Sequence, residues 1–439
     1  MQGRRIARSP AGPTGPGSAV ALNAGPRRSR TGLDDGGGPT MPQYKYLIVG
    51  GGMTADAAIG GIRQADPSGT IGIIGAEPHP PYNRPPLSKG LWKGDSVDTI
   101  WRHTNSQGVD FHLGRSVEGL DVSRKLAADD RGVTYTWEKL LLATGGRPRR
   151  FSFGDDHIIY YRLLDDYTHL RALTERGQRF AVIGGGFIGS EIAAALAMNK
   201  KEVVMLFPGQ AIGGSLYPGD LAAFLNEFYQ KKGVDVRAGA RVVGTEQRGT
   251  QSGVKTQSGQ TFYVDGVVAG LGIEPNVSLA QAAGLEINDG IVVDEGLRTS
   301  HSDIYAAGDV ALFYNPSLGK RIRVEHEDNA NIMGRAAGQA MAGNPVPYHH
   351  LPYFYSDLFE LGYEAVGELS PQLETVADWK QPYREGVIYY LDRGRVRGVL
   401  LWNTWDQVDA ARALIAQPGP FRPEDLRGRL PAKESTGRA

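Results

Sequence analysis

Two stretches of this chain run a β-rich apolar segment straight into closely spaced glycines, an arrangement that can hold phosphate. In Arg179 to Glu191, RFAVIGGGFIGSE, the run Phe180 to Ile183 feeds into Gly184, Gly186 and Gly189, with Phe187 and Ile188 between them, and a helix-forming run from Glu191 to Met198 follows. Glycine lets the backbone come close to a pyrophosphate, and the helix start that follows offers free amide donors and a positive dipole end. One such match is equally an ordinary glycine-rich turn. A second one changes the weighing: Tyr44 to Val49 leads into Gly50, Gly52 and Ala55, a GxGxxA turn within GGGMTA that also holds Thr54.

Other residues of suitable chemistry follow each turn. After the first, Ile71 to Ile74 reads as a parallel strand, and Glu77 lies just beyond it, near where a carboxylate accepts from a ribose hydroxyl. Ala76 sits where that acid is expected one residue earlier, and a plain surface glutamate is the competing reading. Pro80 to Trp92, PPYNRPPLSKGLW, is stiffened by prolines and carries Arg84, suited to phosphate or to an aromatic ring, and Lys89, which needs an acidic partner if buried. A further apolar run, Trp137 to Thr144, ends in ATGG and is followed by Arg147 and Arg149. After the second turn, the strand Glu202 to Phe207 ends in Phe207, Pro208 and Gly209, so the usual acid or arginine that separates NAD from NADP is not written there. Strand-like runs at Val234 to Arg237 and Phe262 to Val268 lead to AGLGIEPN, whose Gly270 and Gly272 suit either close approach to a ligand or a plain turn. Asp309, at the end of a strand in YAAGD, is placed to bond sugar hydroxyls. In VEHEDNANIMGRAAG, Glu325, Glu327 and Asp328 suit a helix start, and His326 has no second ligand at metal spacing, so no metal site is expected.

These residues need elements to position them, and the composition allows a large scaffold. The 439 residues imply two or three domains. Lysine plus arginine and aspartate plus glutamate are equal at 48 each, so no global field draws the chain to nucleic acid or an anionic membrane. No apolar run approaches the roughly 20 residues that span a bilayer, which predicts a soluble protein. Cysteine is absent, which excludes disulfides, thiolate metal sites, cysteine nucleophiles and a redox-active CxxC. Residues 1–40 hold nine glycines, five prolines and six arginines. They read as disordered, as a transit peptide, or as an extension before a natural start at Met41. From Tyr348 the chain turns aromatic-rich, with strands at Thr375 to Trp379, Gly386 to Asp392 and Arg395 to Trp402 and a helix from Trp405 to Ile415, an α+β pattern with an antiparallel sheet. The end, Gln417 to Ala439, reads as mobile.

The motifs GGGMTA, PPLSK, ATGG, GGGFIGSE, GLGIEPN and YAAGD, in this order from about Tyr44 to Ile415, resemble the two-dinucleotide-binding flavoproteins of the pyridine nucleotide oxidoreductase superfamily. Within them the chain is similar to apoptosis-inducing factor and to the ferredoxin reductases of oxygenase systems, in a bacterial-type form. The resemblance implies an α/β fold with two Rossmann-like FAD- and NAD-binding domains of glutathione-reductase type, plus a C-terminal α+β domain. Its boundaries are 41–153 with 277–345 for FAD, 154–276 for NAD(P)H and 346–416 for the C-terminal domain, between the extension 1–40 and the tail 417–439. It implies FAD contacts at Gly50, Gly52, Thr54, Ala55, Glu77, Arg84, Val117, Ala143, Thr144, Gly145, Arg149, Asp309 and Ala330. Lys89 matches a lysine beside the flavin and Glu191 its acidic partner; Glu325, His326 and Tyr355 match positions by the flavin and nicotinamide. Gly184, Gly186, Phe187, Ile188, Gly189, Phe207, Gly270 and Gly272 fall to NAD(P)H.

The implied activity is an FAD-dependent NAD(P)H oxidoreductase. NADH is the expected donor, with NADPH as the other candidate. Lacking cysteine, the chain must pass electrons directly to an external acceptor such as a small iron-sulfur protein or a quinone. The competing reading is a redox-sensing binding protein whose long-lived reduced FAD–NAD complex controls dimerisation, as a homodimer, or partner binding. A cytoplasmic location is expected, with mitochondrial targeting by residues 1–40 as the alternative.

Overall fold

Short apolar strands that end in glycine turns, each followed by an Ala- and Gly-rich helix, wind two parallel sheets. The computed structural model describes residues 41–154 and 157–430. In the first sheet Gln43–Val49 pairs in parallel with Ile71–Gly75 on one side and with Thr134–Leu142 on the other. Asp110–Leu113 extends the sheet beyond Ile71–Gly75, and Val117–Asp121 and Leu126–Asp129 add an antiparallel flap to Thr134–Leu142. After building the second sheet the chain returns, and Ile304–Ala306 lies parallel to Leu140 through Leu142. That return delivers Asp309 to the same sheet end as the first glycine turn.

Helix Met53–Ala65 packs on helix Glu327–Met341 with backbones nearly touching. A Cβ on Gly338 would lie 1.9 Å from the Ala58 carbonyl oxygen, and one on Gly61 would lie 2.1 Å from that of Arg335. Small residues are therefore a packing requirement of this crossing, and they hold the start of helix Glu327–Met341 beside the first glycine turn.

The second sheet is wholly parallel in the order Val234–Ala238, Glu202–Phe207, Arg179–Ile183, Gly266–Ala269, Ile158–Tyr160. The helix after its glycine turn starts at Phe187, directly after Gly186, rather than at Glu191. The run Phe262 to Val268 is not one strand. Thr261–Val264 joins an antiparallel meander with Val242–Arg248 and Gln251–Thr256, and Gly266–Ala269 enters the parallel sheet. Asp265 marks the break: its carboxylate accepts from the backbone N–H groups of Gln178 (2.7 Å) and Arg179 (2.9 Å) and from the Gln251 amide (3.1 Å).

The C-terminal sheet is antiparallel, ordered Tyr353–Leu358, Leu361–Gly367, Arg395–Trp402, Glu385–Asp392, Glu374–Gln381. It shares a core with the second parallel sheet, where Tyr363 and Trp402 pack in one cluster with Ile192, Leu196 and Met205. Its helix begins at Val408 and not at Trp405, because Asp406 takes a left-handed φ of 61° and breaks the helical path. The expectation of a mobile tail is overturned for residues 417–430. Pro423–Leu426 is helical, Leu426 is 0 % exposed in a core with Val376 and Leu414, and the Gly428 N–H donates to Asp378 at 2.6 Å. Polar composition hid two apolar anchors, Leu426 and Leu430. Replacing Leu426 with alanine is expected to cost about 3 kcal/mol, read as a lower urea midpoint; a mobile tail gives no change. Residues 1–40 and 431–439 lie outside the described residues, and with them the expectations about an extension, a transit peptide and a start at Met41.

Candidate functional site

The two glycine turns share one geometry. Gly50 and Gly184 both adopt φ +120°, and a Cβ there would lie 2.1 Å from the Ala143 carbonyl oxygen and 2.3 Å from that of Gly270, each at the end of the neighbouring strand. A Cβ on Gly189 would lie 2.0 Å from the Gly184 carbonyl oxygen, so the helix closes onto the turn only with glycine there. The middle glycines differ. Nothing lies within 4 Å of a Cβ placed on Gly186, and Gly52 has only an Arg84 nitrogen at 3.9 Å. Neither helix start carries a side-chain cap. Open space, bare backbone and a helix N-terminus together fit a nucleotide pyrophosphate at each turn.

Lys89, just after the turn Pro85–Ser88, meets Glu191 on the helix Phe187–Met198 that follows the second glycine turn. Lys89 Nζ lies 2.7 Å from Glu191 Oε1, and Glu191 is 3 % exposed. The carboxylate takes two more donors, Ser356 Oγ on Oε1 at 2.6 Å and Ser88 Oγ on Oε2 at 2.5 Å. The ammonium also stands 5.1 Å from the Tyr355 ring centroid, and the Tyr355 hydroxyl donates to Glu327 at 3.1 Å. Tyr355 is half-buried against Glu327, and its phenol is pushed well above its ordinary pKa, first by loss of solvent and then by that carboxylate.

A second pair of charges lies toward the first sheet. Arg84 Nη2 donates to Glu77 at 2.5 Å, and the Tyr82 hydroxyl donates to the other Glu77 oxygen at 2.5 Å. Glu77 is thus half-buried and held, while Ala76 is exposed. Arg162 donates to Asp309 at 2.9 Å, and Arg84 donates to the Arg162 carbonyl at 3.2 Å. Arg162 was not visible in the sequence: it follows a three-residue strand with no motif around it, and only the sheet order brings it to Asp309.

Part of this set, without Gly50, Gly52, Glu77, Tyr82 or Ser356, borders one cavity of about 1710 Å³. Arg84, Lys89 and Asp309 line it from the first sheet's side; Gly186, Phe187, Ile188, Glu191, Gly270 and Gly272 from the second's; Glu325, His326 and Tyr355 close it. A single small-molecule site occupies roughly 300–1,000 Å³, so this volume suits more than one ligand. Other expected residues lie off the cavity. Thr144 Oγ1 donates to the Asn276 carbonyl at 2.9 Å and receives the Asn276 amide on its own carbonyl at 2.8 Å, which stitches Gly145 to the segment after Gly272. Thr54, Ala55 and Ala330 are buried near the helix crossing, and Val117 lies on the antiparallel flap. Arg149 is exposed, with Nε donating at 3.2 Å to the carbonyl of Ile273, which lines the cavity. Phe207 departs most from expectation: it is 2 % exposed and its ring lies 2.9 Å from a Cβ on Gly185, so it packs under the turn instead of facing a nucleotide.

His326 stacks on Phe354 with ring centroids 4.5 Å apart, and Phe187 meets its edge at 5.6 Å. Burial pushes its pKa down from 6.5 to about 4, so it is neutral at pH 7. Below pH 6.5 the unfolded chain takes up a proton that the folded chain refuses until about pH 4, so stability falls as pH falls through that window. After a discount for water entering the cavity, His326 contributes about 2 kcal/mol to this acid limb, and His326→Gln should flatten it by that amount in urea titrations at pH 7 and pH 4.

Known proteins place this geometry. The pyridine nucleotide-disulphide oxidoreductase family model matches residues 44–336. The chain is 36 % identical over 420 residues to the mitochondrial apoptosis-inducing factor 1 of Dictyostelium discoideum, covering 85 % of this chain and 79 % of that protein. It is 32 % identical to the ferredoxin reductase subunit of a 5,5'-dehydrodivanillate O-demethylase from a Sphingobium species, covering 85 % and 94 %. Among solved structures, a chain of the covalent putidaredoxin reductase–putidaredoxin complex superposes with a TM-score of 0.81 at 28 % identity, covering 87 % and 95 %. The chain belongs to the pyridine nucleotide-disulphide oxidoreductase family, as an FAD-dependent NAD(P)H oxidoreductase.

Proposed function

We propose that this protein moves electrons from NADH through FAD to a small iron-sulfur protein, without a redox disulfide. The observation that carries this reading is the Lys89–Glu191 pair, its carboxylate buried, in the cavity that Gly186 of the second glycine turn also lines. FAD accepts a hydride from NADH and can release the electrons singly or in pairs. The first turn, Gly50 to Ala55, then belongs to the FAD half, 41–153 with 277–345, and the second, Gly184 to Gly189, to the NAD half, 154–276. Lys89 holds a positive charge where negative charge develops, and Glu191 orients it. Phe187, Phe354 and neutral His326 supply an apolar wall that excludes water from the reacting face. Although the family is named for a disulphide, this chain has no cysteine, so electrons leave the bound flavin directly.

The choice of acceptor is supported by the relatives, one a ferredoxin reductase subunit and one solved in complex with putidaredoxin. Among the described residues no helix is long and apolar enough to cross a membrane. Anaerobic mixing of the FAD-loaded protein with NADH, then with a ferredoxin, a quinone or oxygen, tests the reading. Rapid reoxidation by ferredoxin supports it. Rapid reoxidation by quinone alone replaces the acceptor. A reduced complex that persists with every acceptor favours instead a slow redox-sensing protein.

A further inference from the structure

Glu191 receives three donors, and one of them comes from outside both nucleotide-binding units. Ser356 belongs to Tyr353–Leu358, an edge strand of the C-terminal sheet. Tyr355 sets its ring 5.1 Å from Lys89 Nζ, and its neighbour Ser356 donates to Glu191 Oε1 at 2.6 Å. One dipeptide therefore touches both members of the ion pair.

The geometry has a consequence for the lysine. Its ammonium sits on a flexible four-carbon stem, and Glu191 Oε1 is its bonded anchor at 2.7 Å. A carboxylate held by a lysine alone could turn about its terminal torsion, which is broad and two-fold. Here Ser88 holds Oε2 at 2.5 Å and Ser356 shares Oε1 with the lysine, so turning the carboxylate would break two hydroxyl bonds in a site that is 3 % exposed. Unmade hydrogen bonds to a buried carboxylate are costly, so the plane of the group is fixed.

We propose that Ser356 is a positioning residue of the redox pair: with Ser88 it fixes the Glu191 carboxylate plane, and the C-terminal sheet thereby sets where the Lys89 ammonium stands. This rests on the reading above that Lys89 lies beside the flavin. The role is indirect, since Ser356 acts through Glu191.

The test uses the full FAD-loaded chain and three readouts: the limiting rate of flavin reduction by NADH, the NADH dissociation constant, and the flavin midpoint potential. Ser356→Ala should slow the limiting rate about tenfold, leave NADH affinity within about twofold and shift the potential to a more negative value, the loss of one hydrogen bond to a charged group. Ser356→Thr, which keeps the hydroxyl, should restore all three. Should the alanine variant not fold, Ser356→Cys carries the same expectation, because a thiol is a weak donor. In a Glu191→Gln background the Ser356→Ala change should add nothing further. A Ser356→Ala protein with the wild-type rate and potential, or a loss that adds fully to that of Glu191→Gln, overturns the inference. A wild-type protein that NADH does not reduce overturns the parent reading instead.

Discussion

Lys89→Ala protein should be reduced by NADH about 10²- to 10³-fold more slowly than wild type, with NADH binding changed only a few-fold. A preorganised charge aimed at developing negative charge in a water-poor site contributes roughly 2.7–4 kcal/mol to a barrier, which sets that range. Lys89 is 13 % exposed at its side chain and Glu191 3 %, so the charge acts where water screens it little. The same substitution strips the buried carboxylate of its cation, leaving Ser88 and Ser356 as its donors. Breaking a buried pair in this way costs about 3–5 kcal/mol of stability. The two effects separate in the double variant Lys89→Ala with Glu191→Gln. Removing both charges should recover most of the stability in urea melts and none of the rate in anaerobic stopped flow. If rate returns with stability, Lys89 is a packing residue and has no part in flavin reduction.

What the sequence discloses follows from how each feature is encoded. Gly50 and Gly184 are legible because a positive φ and a carbonyl within 2.3 Å admit no other residue type. Lys89 and Glu191 are legible only as a motif resemblance, because 102 residues separate them and no local pattern links them. Ser356 lies 165 residues from Glu191, and a serine carries no positional signature, so its contact had to come from the fold. Arg162 is hidden for the same reason. Phe207 is given to NAD(P)H by resemblance alone, and its ring turns inward beneath Gly185, a packing choice that its place at a strand end does not encode. The split at Asp265 was invisible because apolar residues flank it on both sides and either run alone is a good strand. At Leu426 the error ran the other way: a Pro- and Arg-rich stretch masked two buried leucines that close the C-terminal core.

The glycine turns give the second large effect, and a contrast within each turn makes it decisive. Gly184→Ala should destabilise the protein by roughly 3–5 kcal/mol, combining a strained left-handed backbone with overpacking against the Gly270 carbonyl 2.3 Å away. Gly50→Ala should do the same through Ala143. Gly186→Ala should not: its φ of −90° suits any residue, and nothing lies within 4 Å of the added methyl. Its urea midpoint should stay near wild type, within about 0.5 kcal/mol, as for a substitution without steric conflict. The methyl instead occupies the space that a pyrophosphate approaches, so NADH should bind at least about tenfold more weakly by titration calorimetry, the loss expected when backbone donors are held off an anion. FAD content should be unaffected, because Gly186 belongs to the second turn. Gly52→Ala should show the mirror result, weakened FAD retention with NADH affinity intact in whatever fraction remains loaded. The four variants therefore test both the strain and the assignment of each turn to its nucleotide. A Gly186→Ala protein that loses FAD and keeps NADH would exchange the two halves, and one that binds both as tightly as wild type would remove the second turn from the site.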